Sequence, residues 1–398
     1  MTMRRVAVIG GAACPVGRIQ TPADAPLAAL EHEILVPLVL DAMAAAGLPK
    51  DTIDALCFAQ CRPYTLQKYF PTFLANYLRL PLKGTIVEVM GNGMTGGLAF
   101  DEAINVVAMG RADVALALGV NMESQAPTAE HAMSTMRATG DVDFHTPFGF
   151  TPISWYAMDA VRYMHDYGAT RAELASVAVK DREHAALNPI AQFRKPLSLE
   201  EVLAARPIVE PLSLFEVPPR GDGAVCLVLC TEDVAKETGK PYVLVRSRGF
   251  AHEGAHQINE VPNDMTAFVA AQAAAAAAYA DAGIVPGDLD LAELYAPCTI
   301  VQVLVSEAMQ LLPRGRGAAA ASAGETKLGG RIPICTSGGC LSRGHPSYVT
   351  GLLTIFELWE QLTERAGARQ VPNARLAAAS CELGNYNAAL IHILEAIR

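Results

Sequence analysis

Three separated stretches in the second half of this sequence carry side chains that can hold or move a proton. The first is CTSGGCLSRGHPSYVTGL, residues 335–352, where a predicted strand ends in two glycines and a helix is predicted to restart at His345 and Pro346. Proline suits a first helical turn, so His345 is expected at the positive end of the helix with its imidazole facing a cleft. There it can donate a hydrogen bond to a developing enolate or thioester oxyanion. An isolated Gly-His-Pro is more often a capping histidine in a turn.

Cys381 stands at the tip of another predicted strand. In SCELGNYNAALIHIL, residues 380–394, it ends one strand, a tight turn at Gly384 and Asn385 follows, and the chain returns as the next strand. A thiol at such a tip can act as a general acid or base if neighbouring groups tune its pKa. A cysteine considered alone is more often a buried structural residue.

Tyr295 is the third candidate, in LAELYAPCTIVQVLVSEAM, residues 291–309. It follows Glu293 with the spacing of a strand, just before a predicted helix, which sends both side chains to one side of a sheet. Its hydroxyl can exchange a proton with a substrate hydroxyl. The alternative is an ordinary core tyrosine whose hydroxyl has found a partner.

The first half offers a strand tip without an obvious reactive group. VEVMGNGMTGGLAF, residues 87–100, is predicted to be a short buried strand that leads into a glycine-rich helix start. Such an arrangement usually presents one reactive side chain, and the candidate at the tip is Met90. A thioether cannot form an acyl-enzyme, and a shift of one residue offers only Gly91.

An α/β scaffold is predicted to position these stretches, because apolar runs bounded by glycine and polar turns alternate with helical periodicity. Strands are predicted near 5–11, 55–61, 85–90, 113–121, 241–249, 289–296, 332–338, 375–382 and 387–394. Helices are predicted near 29–46, 66–78, 94–109, 264–282, 299–311 and 347–365. The second set repeats the order of the first, which indicates an internal duplication.

The repeat predicts three domains or subdomains. Residues 1–121 with 221–235 form a first half, residues 236–398 form a second half, and the intervening 122–220 is predicted to be an inserted lid subdomain. The strand in GDGAVCLVL, residues 221–229, is predicted to return the chain to the first sheet.

Composition excludes several classes of function. A net charge of -10 over 398 residues gives no support for binding nucleic acid or an anionic membrane. The sequence contains no run of 18 strictly apolar residues, the length that a membrane-spanning helix needs, and the alanine-rich stretch at 267–283 is predicted to be a packed helix. The spacing of the nine cysteines is typical neither of a disulfide framework nor of a zinc site. No bound metal is therefore expected. The opening RVAVIGG favours a strand over a signal peptide, and a cytoplasmic location is predicted.

Taken in order, these stretches resemble motifs of the thiolase superfamily over nearly the whole chain. CTSGGCLSRGHPSYVTGL resembles its Gly-His-Pro motif, SCELGNYNAAL its terminal cysteine hairpin, and VEVMGNGMTGGLAF the segment that holds its nucleophilic cysteine. The stretch REHAALNPIAQFRKPLSLEEVLAARPIVEPLSLFEVPPRGDGAVCLVL, from residue 182, is closer to the sterol-carrier-protein-type thiolases and their thiolase-like relatives.

The resemblance implies a duplicated five-layer α/β/α/β/α fold, a homodimer or tetramer, and acyl-CoA thioesters as substrates, with no permanently bound cofactor. It assigns His345 the role of activating a nucleophile and shaping an oxyanion hole, and Cys381 the movement of the α-proton. Backbone donors at Gly91, Leu383 and Gly384 are expected to complete the site.

The sequence departs from the family at the residue that defines its usual mechanism. Aligning GNGM with the family's Ala-Ser-Gly-Met places Met90 where the nucleophilic cysteine belongs, so the usual Claisen mechanism is disfavoured. In addition, Ala292 takes the place of an asparagine that holds an oxyanion-hole water, and Tyr295 takes the place of a histidine found in the sterol-carrier type.

Three functions remain open at this stage. The first is aldol cleavage of a β-hydroxyacyl-CoA, with Tyr295 or Tyr348 as the base and with His345 and Cys381 handling the enolate. Some thiolase-like proteins without the cysteine are steroid side-chain aldolases that work with a small OB-fold partner, and the resemblance implies such a partner here.

The second is thiolase or acyltransferase chemistry with a displaced nucleophile, Cys340 or Cys298, although such chemistry depends on close alignment. The third is a non-catalytic acyl-CoA-binding or scaffold subunit.

Overall fold

The structure is a computed structural model, and it describes residues 3–19, 30–61, 67–81, 84–125, 136–253, 264–383 and 387–398. The strands within these residues are β1 (Val6–Ala13), β2 (Ala55–Ala59), β3 (Ile86–Val89), β4 (Val114–Asn121), β5 (Pro207–Val209), β6 (Leu212–Ser213), β7 (Gly223–Thr231), β8 (Tyr242–His252), β9 (Leu291–Glu293), β10 (Leu376–Glu382) and β11 (Ala388–Ile397). The α-helices are α1 (Glu31–Ala46), α2 (Phe70–Leu78), α3 (Thr95–Ala108), α4 (Pro152–Tyr167), α5 (Arg171–Ala186), α6 (Leu199–Leu203), α7 (Glu232–Glu237), α8 (Val269–Ala282), α9 (Thr299–Ala308), α10 (Gly317–Ser322) and α11 (Thr350–Leu362).

The sheet order displays the predicted duplication. Nine strands pair in the order β3-β2-β4-β7-β1-β8-β11-β10-β9, and a parallel bridge between Ala292 and Ile334 continues it beyond β9. Outward from the β1–β8 junction, the first half has the order β1, β7, β4, β2 and β3, and the second has β8, β11, β10, β9 and Ile334. Within each half these are the first, fifth, fourth, second and third extended segments along the chain. The directions match as well, because β7 and β11 are antiparallel to both neighbours while the outer pairs are parallel.

Apart from β3 and parts of β8, the strands of the large sheet are buried on both faces, and their alternating side chains belong to different hydrophobic cores. In β2, for example, Leu56 and Phe58 pack with α1 and α2, whereas Cys57 faces α3 and α11. Strands of the second half likewise divide between the core around α3 and α11 and an outer core built with α4, α5, α8 and α9. The result is the expected succession of helices, sheet, central helices, sheet and helices.

The two central helices approach each other at glycines near their amino termini. A Cβ atom added to Gly96 would lie 2.8 Å from the backbone nitrogen of Leu352, and one added to Gly351 would lie 2.5 Å from the nitrogen of Gly97. The absence of side chains at these positions lets the starts of α3 and α11 lie next to each other. Both helix starts are thereby brought to one place in the molecule.

The alanine-rich stretch forms the packed helix that the sequence predicted. Helix α8 lies so close to β8 that a Cβ atom on Gly249 would be 1.9 Å from the carbonyl oxygen of Ala274. Small side chains on the helix and a glycine on the strand permit this contact. Among the described residues, no helix has the length and apolarity needed to cross a membrane.

Two predicted elements around His345 are wrong. The strand predicted near 332–338 is reduced to the bridge at Ile334, because Cys335, Gly338 and Gly339 have φ values of 56°, 94° and 56°, which no strand accommodates. The chain instead forms one π-helical turn over Gly339–Arg343.

The second correction concerns the helix start. Helix α11 begins at Thr350 and not at His345 or Pro346, and His345 forms an isolated parallel bridge with Arg220. The strand over 223–231 does return to the first sheet, between β4 and β1. The proposed boundaries of the three domains remain a prediction.

Candidate active site

A cavity of about 570 Å³ lies where the starts of α3 and α11 meet the end of β9. It contains Tyr295, His345 and Tyr348, three of the four side chains for which a catalytic role was predicted. The wall is completed by Asn92, Gly93, Glu123, Met136, Thr139, Thr151, Pro152, Ile153, Tyr156, Arg206, Ile208, Val209, Pro218, Pro219, Arg220, Pro297 and Ser347.

Tyr295 and His345 form a hydrogen-bonded pair in this wall. The hydroxyl oxygen of Tyr295 lies 3.5 Å from Nε2 of His345, and the two rings meet edge to face. Nδ1 of His345 lies 3.1 Å from the hydroxyl of Thr350, which itself donates to the carbonyl of Pro346 at 3.0 Å. Because the threonine proton is used there, Nδ1–H of His345 donates to Thr350 and Nε2 keeps its lone pair. The Tyr295 hydroxyl therefore donates to Nε2.

The protonation states of the pair follow from their surroundings. Burial, followed by the positive charge of Arg343, lowers the pKa of His345 to about 3. Burial, followed by the charge of Glu382 and the neighbouring thiols, raises the pKa of Tyr295 well above its ordinary value. At neutral pH the pair is thus a neutral imidazole that accepts from an un-ionised phenol.

The backbone holds Tyr295 in place from the adjacent strand. Its N–H lies 3.2 Å from both the carbonyl oxygen and the hydroxyl of Ser380, one residue before Cys381 in β10. The side chain of Tyr295 packs with Met94 and Cys381 in a small buried cluster. These contacts fix the ring, so its hydroxyl has little freedom to leave His345.

Gly93, and not Met90, is the first-half residue that borders the reacting groups. A Cβ atom on Gly93 would lie 2.6 Å from the Tyr295 hydroxyl and 2.8 Å from the carbonyl of Glu382. Met90 is 62% exposed and does not line the cavity. The expectation that Met90 faces the pocket is corrected, because a 3-10 turn over Asn92–Met94 carries the chain further before α3 begins at Thr95.

Cys381 lies behind the cavity wall and does not reach the cavity. It is 3% exposed, and its thiol donates to the carbonyl oxygen of Gly93 at 3.5 Å. The backbones of Gly97 and Gly351 lie against its side chain. Burial raises the pKa of this thiol well above its ordinary value. The predicted proton transfer by Cys381 therefore lacks direct access to a substrate.

The two cysteines considered as displaced nucleophiles are also buried. Cys298 and Cys340 have no exposed surface, and neither lines the cavity. Burial raises the pKa of Cys340 to about 12 and that of Cys298 well above its ordinary value. Neither offers the thiolate that attack on a thioester requires.

The predicted backbone donors are not available to a ligand where the structure describes them. The N–H of Gly91 donates to the hydroxyl of Thr95 at 2.9 Å, and the N–H of Leu383 donates to the carbonyl of Ala388 at 3.2 Å. Gly384 lies outside the described residues. The positive ends of α3 and α11 add partial positive charge at this side of the cavity.

Two arginines belong to the cavity wall. Arg220 forms an ion pair with Glu123 within the wall. Arg206, just before β5, forms no ion pair with any residue that the structure describes. Tyr156, Ile153 and the prolines supply a rigid apolar surface between them.

Three residues of the site, Thr350, Gly93 and Arg206, are not among those that the sequence patterns predicted. The signal for the first two was present, since Thr-Gly begins both central helices, as TGG at 95 and TGL at 350. Arg206 had no comparable signal, because only the β5–β6 hairpin brings it to the cavity. Within the described ranges, no group of three or more His, Cys, Asp or Glu side chains is arranged to hold a metal ion.

Comparisons with known proteins agree on one family. Residues 6–204 match the family described as thiolase, N-terminal domain, and residues 251–396 match the thiolase C-terminal domain-like family. The chain is 32% identical over 394 residues to the acetyl-CoA acetyltransferase of Methanothermobacter thermautotrophicus, covering 98% of this chain and 99% of that protein. It is 34% identical over 288 residues to benzoylsuccinyl-CoA thiolase subunit BbsB of Thauera aromatica, covering 72% and 73% respectively.

Solved structures show the same likeness. A structure described as Ltp2-ChsH2(DUF35) aldolase superimposes with a TM-score of 0.83 at 26% identity, covering 100% of this chain and 99% of that chain. Human mitochondrial 3-ketoacyl-CoA thiolase superimposes with a TM-score of 0.76 at 14% identity over the full length of both chains, which bears on the fold alone.

Proposed function

This chain belongs to the thiolase superfamily as an acyl-CoA enzyme, and on that premise we propose that it breaks or forms a carbon–carbon bond by aldol chemistry, most directly by cleaving a β-hydroxyacyl-CoA. One observation carries the proposal. Where a side chain on Gly93 would extend, the hydroxyl of Tyr295 already stands, hydrogen-bonded to His345. Gly93, the first-half residue that faces this proton-transfer pair, has no side chain that could act as a nucleophile.

Aldol cleavage fits this arrangement because it needs no acyl-enzyme. The β-hydroxyl proton passes to the oxygen of Tyr295 as the phenol proton passes to Nε2 of His345. The electrons of the O–H bond form the new carbonyl, and those of the Cα–Cβ bond pass into the thioester enolate. An un-ionised phenol is a poor base alone, so its proton passes to the neutral imidazole behind it, and the lowered pKa of His345 makes it hold that proton only transiently.

The enolate then needs stabilisation and a proton. The thioester oxygen, placed near the starts of α3 and α11, would take up negative charge at two positive helix ends. Tyr348 lines the same cavity, and we assign it the role of proton donor to Cα. The proton held by His345 restores the Tyr348 hydroxyl, so the reaction consumes no water, cofactor or oxidant.

The cavity wall favours a bulky apolar acyl group. Tyr156, Ile153, Ile208 and Val209 with four prolines offer few hydrogen-bond partners for a polar chain. Arg206 adds one cationic group without an ion pair among the described residues, which suits an anionic part of the substrate. The anion is either a coenzyme A phosphate or a carboxylate on the acyl group.

A partner chain and self-association belong to the same proposal. The structurally similar aldolase is described together with a DUF35 partner. We expect a small partner of that kind, carrying an OB-fold, to associate with a homodimer or tetramer of this chain.

The proposal is tested by offering the purified chain, with and without a co-expressed small partner, a panel of β-hydroxyacyl-CoA thioesters. We expect release of an aldehyde or ketone, measured as its hydrazone, together with the shortened acyl-CoA. Intact mass of the protein after exposure to acyl-CoA is expected to show no adduct.

Two other results would replace the proposal. An acyl adduct that hydroxylamine removes would indicate a displaced nucleophile and acyl transfer, the chemistry named for the acetyltransferase relative. Binding of acyl-CoA without turnover, in the presence of the partner, would indicate a non-catalytic subunit.

A further inference from the structure

A buried cluster of ionisable side chains lies beneath the reacting pair. Glu293 ends β9, two residues before Tyr295, and is fully buried. Its carboxyl group accepts from the N–H of Ser337 at 2.9 Å and from the hydroxyl of Ser337 at 2.8 Å. Arg343, two residues before His345, donates to that hydroxyl at 3.2 Å.

The cluster contains one hydroxyl proton too few for two ionised carboxylates. The Thr336 hydroxyl lies 3.1 Å from Oε1 of Glu293 and 2.9 Å from Oε1 of Glu357, while it accepts from Gln361. A hydroxyl donates only once, so the Thr336 hydroxyl can donate to only one of the two carboxyl groups at a time. Arg369 donates to both oxygens of Glu357 at 2.9 to 3.2 Å, whereas Arg343 lies 3.8 Å from Glu293. Glu293 is therefore the carboxyl group with the more distant cationic partner.

From these contacts we infer that Glu293 is a positioning residue of the active site, which ties the segment that presents Tyr295 to the segment that presents His345. The tie is direct, because the carboxyl group bonds Thr336 and Ser337 at one end of the 336–345 segment, and Arg343 reaches Ser337 from the other end. It sets the distance between the Tyr295 hydroxyl and Nε2 of His345. The inference rests on the proposed function, in which that pair transfers the proton.

The tie is expected to depend on pH. Burial, followed by the negative charge of Glu357, raises the pKa of Glu293 to about 7. The charge of Arg343 opposes this rise in the pKa of Glu293. Arg369 is bonded to Glu357, and the buried Cys335 thiol lies near Glu293. On the far side of Arg343 lies the buried pair of Lys180 and Asp181. When pH rises above about 7, Glu293 ionises beside the negative charge of Glu357, and repulsion between the two groups weakens the tie at Thr336.

Substitution of Glu293 separates positioning from mere stability. In Glu293→Gln the side chain keeps its size and its amide oxygen can still accept from the Ser337 N–H, but the group cannot ionise. We expect kcat at pH 6 within about tenfold of the wild type, KM unchanged, and no loss of kcat above pH 7. In Glu293→Ala, kcat is expected to fall about 100-fold at every pH, since misplacement by one ångström costs that much.

A spectroscopic measurement decides the inference without any turnover, so it stands apart from a failure of the proposed function. The full chain, labelled with ¹⁵N-histidine and assigned by His345→Asn, is titrated while the Nε2 shift of His345 is followed. We expect an inflection near pH 7 in the wild type and none in Glu293→Gln. Glu307→Gln, which alters a buried carboxyl group bonded to Tyr163, serves as control and keeps the inflection.

Two results would overturn the inference. One is a His345 shift that is flat near pH 7 in the wild type. The other is an inflection that persists in Glu293→Gln, which would assign it to a different group.

Discussion

The two halves of the sheet lead into their central helices in opposite ways. The first half passes from β3 to α3 through residues 90–94, a short glycine-rich link. The second half passes from Ile334 to α11 through residues 335–349, a long link with a π-helical turn. Both links end beside the same cavity. The first contributes only Asn92 and Gly93 to its wall, whereas the second carries two of the reacting side chains, His345 and Tyr348.

The helix starts allow a residue-by-residue comparison of these links. Thr95 donates to the carbonyl of Asn92 and accepts from a backbone N–H, whereas Thr350 donates to the carbonyl of Pro346 and accepts from His345. Two residues before Thr95 stands Gly93, and two before Thr350 stands Tyr348.

Equivalent positions thus carry no side chain in one half and a phenol in the other. The two links show a division of work at the shared site. The first leaves space for the hydroxyl of Tyr295, and the second carries His345 and Tyr348.

The largest effect is expected from the tyrosine that occupies the space beside Gly93. In Tyr295→Phe the ring remains but the link between substrate hydroxyl and His345 is lost. We expect kcat for cleavage of a β-hydroxyacyl-CoA to fall about 10³-fold, as loss of a positioned acid–base group does. Release of the carbonyl product is the measurement.

Tyr279→Phe is the matched control for this substitution. Its buried hydroxyl donates to the carbonyl of Met309 at 2.8 Å, away from the cavity. We expect a small loss of stability without loss of kcat. Activity of Tyr295→Phe within a few-fold of wild type would remove Tyr295 from the reaction.

A side chain at Gly93, in the link of the first half, is expected to break this division of work. Gly93→Cys places a thiol beside the Tyr295 hydroxyl, and the Cβ atom that it adds would lie 2.6 Å from that hydroxyl. Because the ring must move, we expect aldol cleavage to fall about 100-fold. We also expect no acyl adduct by intact mass.

Met90→Cys, on the exposed part of the same link, is the control and should retain activity within about twofold, as a surface substitution does. A hydroxylamine-labile adduct in Gly93→Cys would mean that the cavity accepts acyl-enzyme chemistry once a nucleophile is present.

The sequence allowed much of this arrangement to be predicted, since the strands, the duplication, and the placing of Tyr295, His345 and Tyr348 depend on local periodicity and motif order. The assignment of Met90 to the cavity failed because it counted from the end of β3. Asn92, with φ of 46°, turns the chain before α3, so counting back from Thr95 would have identified Gly93.

Side-chain access could not be read from the sequence. Cys381 ends a strand next to the site, as predicted, but the backbones of Gly97 and Gly351 cover it. The N–H groups of Gly91 and Leu383 are near the site, yet each has an internal acceptor. These outcomes depend on contacts between residues far apart in the chain, which periodicity does not report.

The two helix-start threonines give an intermediate test, because both are completely buried and each hydroxyl donates to a backbone carbonyl, but only that of Thr350 also bonds His345. In Thr350→Val the Nδ1–H of His345 loses its acceptor, and we expect kcat to fall about tenfold as the imidazole loses its orientation. In Thr95→Val we expect the free energy of unfolding to fall by about 1 kcal/mol with kcat nearly unchanged. Equal effects on kcat would contradict the division of work.

The smallest effect is expected from pH in a chain that carries Glu293→Gln, because residue 293 can then no longer ionise. His345 must be neutral to accept a proton, and with a pKa of about 3 it stays neutral throughout the range above pH 5. Tyr295 must keep its proton, and its raised pKa preserves the phenol at alkaline pH. We therefore expect kcat/KM to be flat between about pH 5 and 9. An inflection near 6.5 would mean that His345 titrates as an exposed histidine does, and its bond to Tyr295 would then not shape the free enzyme.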